Sequence, residues 1–124
     1  MLKTVNIGKK DYVLKSSAYT IFAYKNETGR DLLVDLNSIN EKYIKISKLT
    51  EEEQNSAWMN EITGIIENTL KIAHIMIREN DKTFKEYNEW LKDIDELLEN
   101  PNWIMEVLEV GIAPFRGRIQ GNQQ

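Results

Sequence analysis

The chain opens on alternating apolar and polar positions. Thr4-Val5-Asn6-Ile7 and Tyr12-Val13-Leu14-Lys15 are short β-prone runs around Gly8-Lys9-Lys10-Asp11, where Gly8 can take the positive φ that a hairpin turn demands. This predicts a β-hairpin over about residues 4–15. Two strands alone are marginal in water, so Val5, Ile7, Tyr12 and Leu14 must be laid against helices.

From Ser16 onward the period changes to that of helices. Ser16 or Ser17 is an N-cap for a helix through Thr28, with Ala18, Ile21 and Phe22 at core-facing spacing and Gly29 just past its end. Asp31 caps a shorter helix, Leu32-Leu33-Val34-Asp35-Leu36, which is apolar enough to be buried over most of its circumference. Residues 37–50, polar and Lys-rich, read as a loop.

Thr50-Glu51-Glu52-Glu53 has capping-box spacing and starts a long helix over about 51–79. Trp58, Ile62, Ile65, Thr69, Ala73 and Met76 recur on one face, widened by Met59, Ile66, Leu70 and Ile77. Asn60, Gly64, Glu67, Lys71, His74 and Arg78 form a polar stripe opposite. At the standard rise this helix of about 28 residues is about 42 Å long, the central spine of a small domain.

Thr83-Phe84-Lys85-Glu86 is a second capping box, followed by Phe84, Tyr87, Leu91, Ile94 and Leu98 on one face of a helix ending near Glu99. Asn100-Pro101 opens a last helix with Trp103, Ile104, Val107 and Leu108 on its apolar side, ended by Gly111 and Pro114. Residues 115–124 lack periodicity and read as a flexible C-terminal tail. The expected fold is therefore mainly α with a small N-terminal β-hairpin: five or so helices around a long central one, in a single domain over 1–114.

Composition narrows the chemistry. The chain has 124 residues, 41% hydrophobic and 29% charged, with no cysteine, which removes disulfides, thiolate zinc sites and a cysteine nucleophile together. The start lacks the apolar run of a secretory signal, and the stretch from Leu70 to Ile77 is far short of the roughly 20 residues that span a bilayer. A cytoplasmic chain without a membrane span is expected.

Charge is unevenly placed: +4 over residues 1–50, −4 over 51–80, −6 over 81–110 and +2 over 111–124. Such opposed regions attract one another within a molecule or between neighbours. An acidic chain with scattered lysines lacks the concentrated basic face that displaces counterions from nucleic acid, so that partner is not expected.

His74 is the sole histidine. An imidazole dyad or a histidine zinc site is therefore excluded within one chain, and its place on the polar stripe makes it a solvated helix residue. Asp93, Asp95, Glu96 and Glu99 are an acidic cluster whose spacing fits no calcium loop. Glycines fall only at 8, 29, 64, 111, 117 and 121, so no phosphate loop or dinucleotide fingerprint is present. The reading is a non-enzymatic protein-binding protein without catalytic, cofactor or metal residues. Of the aromatics Tyr19, Phe22, Tyr24, Trp58, Trp90 and Trp103, most belong to the core, and any left exposed would anchor a protein interface.

The run from Val5 to Lys15, followed by Ala18, Phe22, Tyr24-Lys25 and Thr28-Gly29-Arg30-Asp31-Leu32-Leu33, resembles the opening of short tail assembly chaperones of long-tailed (siphovirus-type) bacteriophages of Gram-positive bacteria. A weaker likeness continues in the order of a long middle helix, a Phe84 to Trp90-Leu91 segment and a terminal helix. The resemblance implies a non-enzymatic role in the host cytoplasm. Such proteins bind the tape measure protein, assist tail tube protein in polymerising around it, and are absent from the mature virion. A chaperone that coats a long target would also form a homo-oligomer or bind in many copies.

In many relatives a ribosomal slip near the end of the gene yields a longer form. If Gln120-Gly121-Asn122 were encoded CAG-GGA-AAC, the message would carry the slippery heptamer G-GGA-AAC. Two other readings remain open from the residues. One is a small acidic helical regulator or antitoxin-like adaptor binding one globular protein. The other is an RNA-associated protein acting through Lys42, Lys45, Lys48, Arg116 and Arg118.

Overall fold

The computed structural model describes residues 1–121, with side chains through Arg116. Its elements run β1 (Leu2–Ile7), β2 (Lys10–Lys15), α1 (Ala18–Thr28), α2 (Leu32–Ser47), α3 (Glu51–Asn80), α4 (Tyr87–Leu91) and α5 (Asn102–Gly121). The protein is mainly helical with an N-terminal antiparallel hairpin and a long central helix, as the periodicities predict.

The hairpin turns tightly because Gly8 and Lys9 both have positive φ, 57° and 73°, the signature of a type I′ turn. The register pairs Leu2 with Lys15 and Ile7 with Lys10, which puts Val5, Ile7 and Leu14 on one face, each fully buried. That face lies on α3 and α5, and burial of each of these side chains stabilises the fold by about 1.5–3 kcal/mol. The hairpin is thus held by the helices it covers.

Three helix starts follow local chemistry. Ser17 caps α1 and closes a capping box with Thr20. Asp31 accepts from the amides of Leu33 and Val34 at α2, and Thr50 with Glu53 forms the box that opens α3. Gly29, in the left-handed region at φ 74°, ends α1 as expected.

Of residues 37–50, expected as a loop, all but the last three instead extend α2 to Ser47. Ile39 and Ile46 are buried on the same face as Leu32 and Leu36, and Tyr43 packs edge-on against Trp58 of α3 at 5.8 Å. The lysines that suggested a loop occupy the outer side of an amphipathic helix. On α1 the expected core face is displaced: Thr20 and Tyr24 are buried, while Ala18 and Phe22 lie outside.

The second capping box does not form. Thr83 donates its amide and its hydroxyl to Asp81 Oδ1, so the hydroxyl that should cap a helix is held by a turn before it. The helix expected to run to Glu99 is the five-residue α4, without a side-chain cap. Glu96 then takes a left-handed φ of 53°, and turns occupy the rest. Leu98, expected on the buried face, is 49% exposed.

This turn-rich segment seats the hairpin tip, where Gly8 lies against Ile94 and Asp95, and supplies the Leu97 carbonyl that accepts from Trp103 Nε1 at 2.8 Å. At α5 the Asn100 side chain accepts from the amide of Asn102 as the Asn-Pro start implies. The helix does not stop at Gly111 and Pro114. It continues through an exposed Pro114 to Gly121, and residues 122–124 of the expected tail lie outside the described residues.

Candidate protein-interaction surfaces

The sole imidazole is not on a solvated stripe. From Ile72 to Ile77 every side chain of α3 is buried, His74 included, because the segment from Phe84 to Leu91 folds across what the periodicity marks as the polar side. Phe84, Tyr87 and Trp90 surround the ring, with Trp90 stacked on it at 5.6 Å and 28°. Its Nε2 lies 2.9 Å from the Lys85 carbonyl, so Nε2 carries the proton and donates, and Nδ1 is buried without a hydrogen-bond partner. Burial pushes its pKa down, opposed by the Lys85 carbonyl and by Glu27, and reinforced by Arg78 and Lys71. The group is a core element.

The acidic cluster is occupied by the chain's own cations. Lys9, at the hairpin tip, pairs with Glu96 and Glu99, and Lys85 pairs with Asp93. Among the described residues no group of three or more His, Cys, Asp or Glu side chains is arranged to hold a metal. Lys3 bridges to Glu106 and Glu109 at 3.5 and 3.3 Å, and Lys42 reaches Glu61 at 3.8 Å. The basic N-terminal region and the acidic helices therefore meet within one molecule. These pairs are exposed or half-exposed, so water screens them and they contribute little to stability.

Lys45 and Lys48 point outward from the end of α2, Arg116 lies on α5, and the side chain of Arg118 falls outside the described residues. Arg116 lines a groove together with Glu106 and Glu109, so its surroundings are acidic rather than basic.

What remains is apolar surface. Tyr19 and Phe22 on α1 are 62% and 63% exposed, a large fraction for aromatic side chains on a packed helix. Beside Tyr19, an open cleft of about 540 Å³ between α1 and α3 is floored by Ala23 and Ile75 and rimmed by Glu27, Arg78, Glu79 and Lys82. Glu79 holds the start of α1 in place, accepting from the hydroxyls of Ser17 at 2.8 Å and Thr20 at 2.7 Å. The aromatic row is thus presented by an anchored helix.

A second groove, about 450 Å³, runs between α2 and α5. Leu36 and Leu108 form its floor, Leu33, Met105 and Ile112 its walls, and Asn37, Glu106, Glu109 and Arg116 its rim. Gly111 brings the two helices close, since a Cβ there would meet Leu36 at 3.1 Å. Both surfaces combine an apolar floor with a polar rim and suit apolar side chains from another polypeptide.

By spacing Phe22 belongs to the core, and a helix ending at Leu36 lacks much of the α2 wall of the second groove. The signal for the longer helix was present in Ile39, Tyr43 and Ile46, which recur at four and three residues. Among the described residues no helix is long and apolar enough to cross a membrane. Compared with protein-family models, with characterised proteins and with solved structures, the chain matches none.

Proposed function

We propose that the chain is a tail assembly chaperone of the kind made by long-tailed bacteriophages of Gram-positive bacteria. In this reading it acts in the host cytoplasm, binds the tape measure protein, keeps that long helical chain from aggregating, and assists tail tube polymerisation without entering the virion. The observation that carries the mode of action is the pair Tyr19 and Phe22, exposed on α1 inside the stretch that bears the resemblance. Two exposed aromatics on one helix, with Tyr19 beside a cleft floored by Ala23 and Ile75, suit transient contact with the apolar stripe of an amphipathic helix, and such binding needs no catalytic group.

The deciding experiment co-expresses this chain with the protein encoded immediately downstream. A tape measure protein that is insoluble alone, soluble with this chain, and insoluble again with the Tyr19→Asp/Phe22→Asp variant is the expected result. Capture of a single small globular neighbour instead would favour the adaptor reading. A tagged gene carrying its native downstream DNA tests the longer form separately. A minor band removed by silent recoding at Gly121-Asn122 is expected if ribosomes slip there.

A further inference from the structure

We propose that two copies of this chain associate through the groove between α2 and α5, with their α5 helices antiparallel across a two-fold axis at Ile112. The argument rests on the placement of charge around the groove. Glu109 and Arg116 both line it from α5, and they lie at nearly equal distances along the helix on either side of Ile112. In an antiparallel pair crossing at that residue, Glu109 of each copy lies opposite Arg116 of the other, so one charge pair is made twice. A parallel pair would set like charges against each other.

The apolar positions agree with this geometry. Met105, Leu108 and Ile112 follow one another at three and four residues, the spacing of a seam between packed helices, and Leu33 and Leu36 of α2 continue the apolar surface to the side. Lys3 does not satisfy the acidic rim by itself, because its one ammonium is shared between Glu106 and Glu109, and the Glu109 side chain stays 44% exposed. An oxygen of Glu109 is left to accept from a guanidinium arriving from outside.

Size sets the strength. The lining of the groove runs along α5 from Met105 to Arg116, about 18 Å, and, two helices wide, about 20 Å across, or roughly 700 Å² counted over both copies. That is well below the range of stable specific interfaces, so the dimer is a transient one, dependent on concentration and weakened by salt.

The chain has no cysteine, so Ile112→Cys in the full chain reports directly on the axis. Under mild oxidation this variant is expected to form a covalent dimer, whereas Val13→Cys on the exposed face of the hairpin does not at the same concentration. In sedimentation equilibrium, Glu109→Arg and Arg116→Glu are each expected to weaken association about tenfold, and the double exchange to restore it. Far-UV circular dichroism confirms that each variant is folded, and restoration by the double exchange excludes damage to the monomer as the cause. A chain that stays monomeric at high concentration overturns the proposal. So does failure of position 112 to cross-link, or failure of the double exchange to restore association.

Discussion

The hydroxyl of Tyr24 donates to Asp35 Oδ2 at 2.5 Å, tying α1 to α2 where both side chains are buried. Arg30, in the turn between the helices, closes on the same carboxylate with Nε and a terminal nitrogen, each at 2.7 Å. Asp35 therefore accepts from three donors, and the Arg30 guanidinium holds its pKa below the ordinary 3.8. The Tyr24 hydroxyl is pushed up, first by burial and then by the carboxylate it faces.

Asp35→Ala leaves the Tyr24 hydroxyl buried without an acceptor, while the half-exposed Arg30 recovers water. The expected loss is about 2–3 kcal/mol in urea unfolding, against about 1 kcal/mol for Tyr24→Phe, which removes one bond and leaves the ion pair. Equal losses in the two variants would show that the guanidinium contributes nothing. Because the folded Asp35 pKa is depressed, its contribution is complete above the ordinary carboxylate value and is lost as pH falls through the folded one.

His74 acts in a higher pH window. Its pKa in the folded chain is pushed below the ordinary 6.5, so the unfolded chain takes up the proton first. Stability is complete above that value and falls as pH drops through the folded pKa, with a slope of at most about 1.4 kcal/mol per pH unit from this one group. Unfolding followed by tryptophan fluorescence between pH 8 and pH 5 should show this slope, and His74→Phe should remove it. A pH-independent midpoint in the parent protein would mean that the buried ring accepts a proton without difficulty.

Gly8 is fixed by both backbone and neighbours. Its φ of +57° strains any L side chain, and a Cβ there would sit 2.6 Å from the Asp95 carbonyl oxygen and 2.8 Å from Ile94 Cγ2. The conformation alone costs Gly8→Ala about 1 kcal/mol, and a backbone oxygen cannot swing aside as a flexible side chain would. A loss of at least about 2 kcal/mol is expected, measured by thermal unfolding. A neutral effect would show that the hairpin tip is free to lift from the segment holding Asp95.

Legibility in the sequence followed the range of the interaction. The hairpin, the Gly29 stop and the Thr50 box depend on residues within about four positions of each other, and the pattern locates them. His74 reads as solvated from the period of α3 because its burial comes from Phe84, Tyr87 and Trp90 on a later segment, which that period does not record. The Thr83 box failed for a nearer reason: Asp81, two residues before it, competes for the same hydroxyl. Tyr19 and Phe22 look like core residues by type, and only the placement of α1 leaves them outside. The groove between α2 and α5 joins residues some seventy positions apart in the sequence and is beyond local pattern altogether.

Gly64 tests whether the long helix is built for stability alone. It lies in the interior of the 30-residue α3, exposed, and a Cβ added there would meet nothing within 4 Å. The backbone freedom of glycine costs an exposed helix interior about 1 kcal/mol relative to alanine. Gly64→Ala is therefore expected to raise the midpoint of thermal unfolding by about 4 °C. The substitution separates the two halves of α3 by their roles. Toward the N-terminus, Trp58 is half-buried and Met59 is 82% exposed, whereas from Thr69 to Ile77 nearly every side chain is buried. If Gly64→Ala stabilises the chain and leaves co-purification with the downstream protein unchanged, the glycine is a local weakness of the helix. If it stabilises the chain and abolishes that co-purification, the bare backbone at position 64 is where the partner approaches.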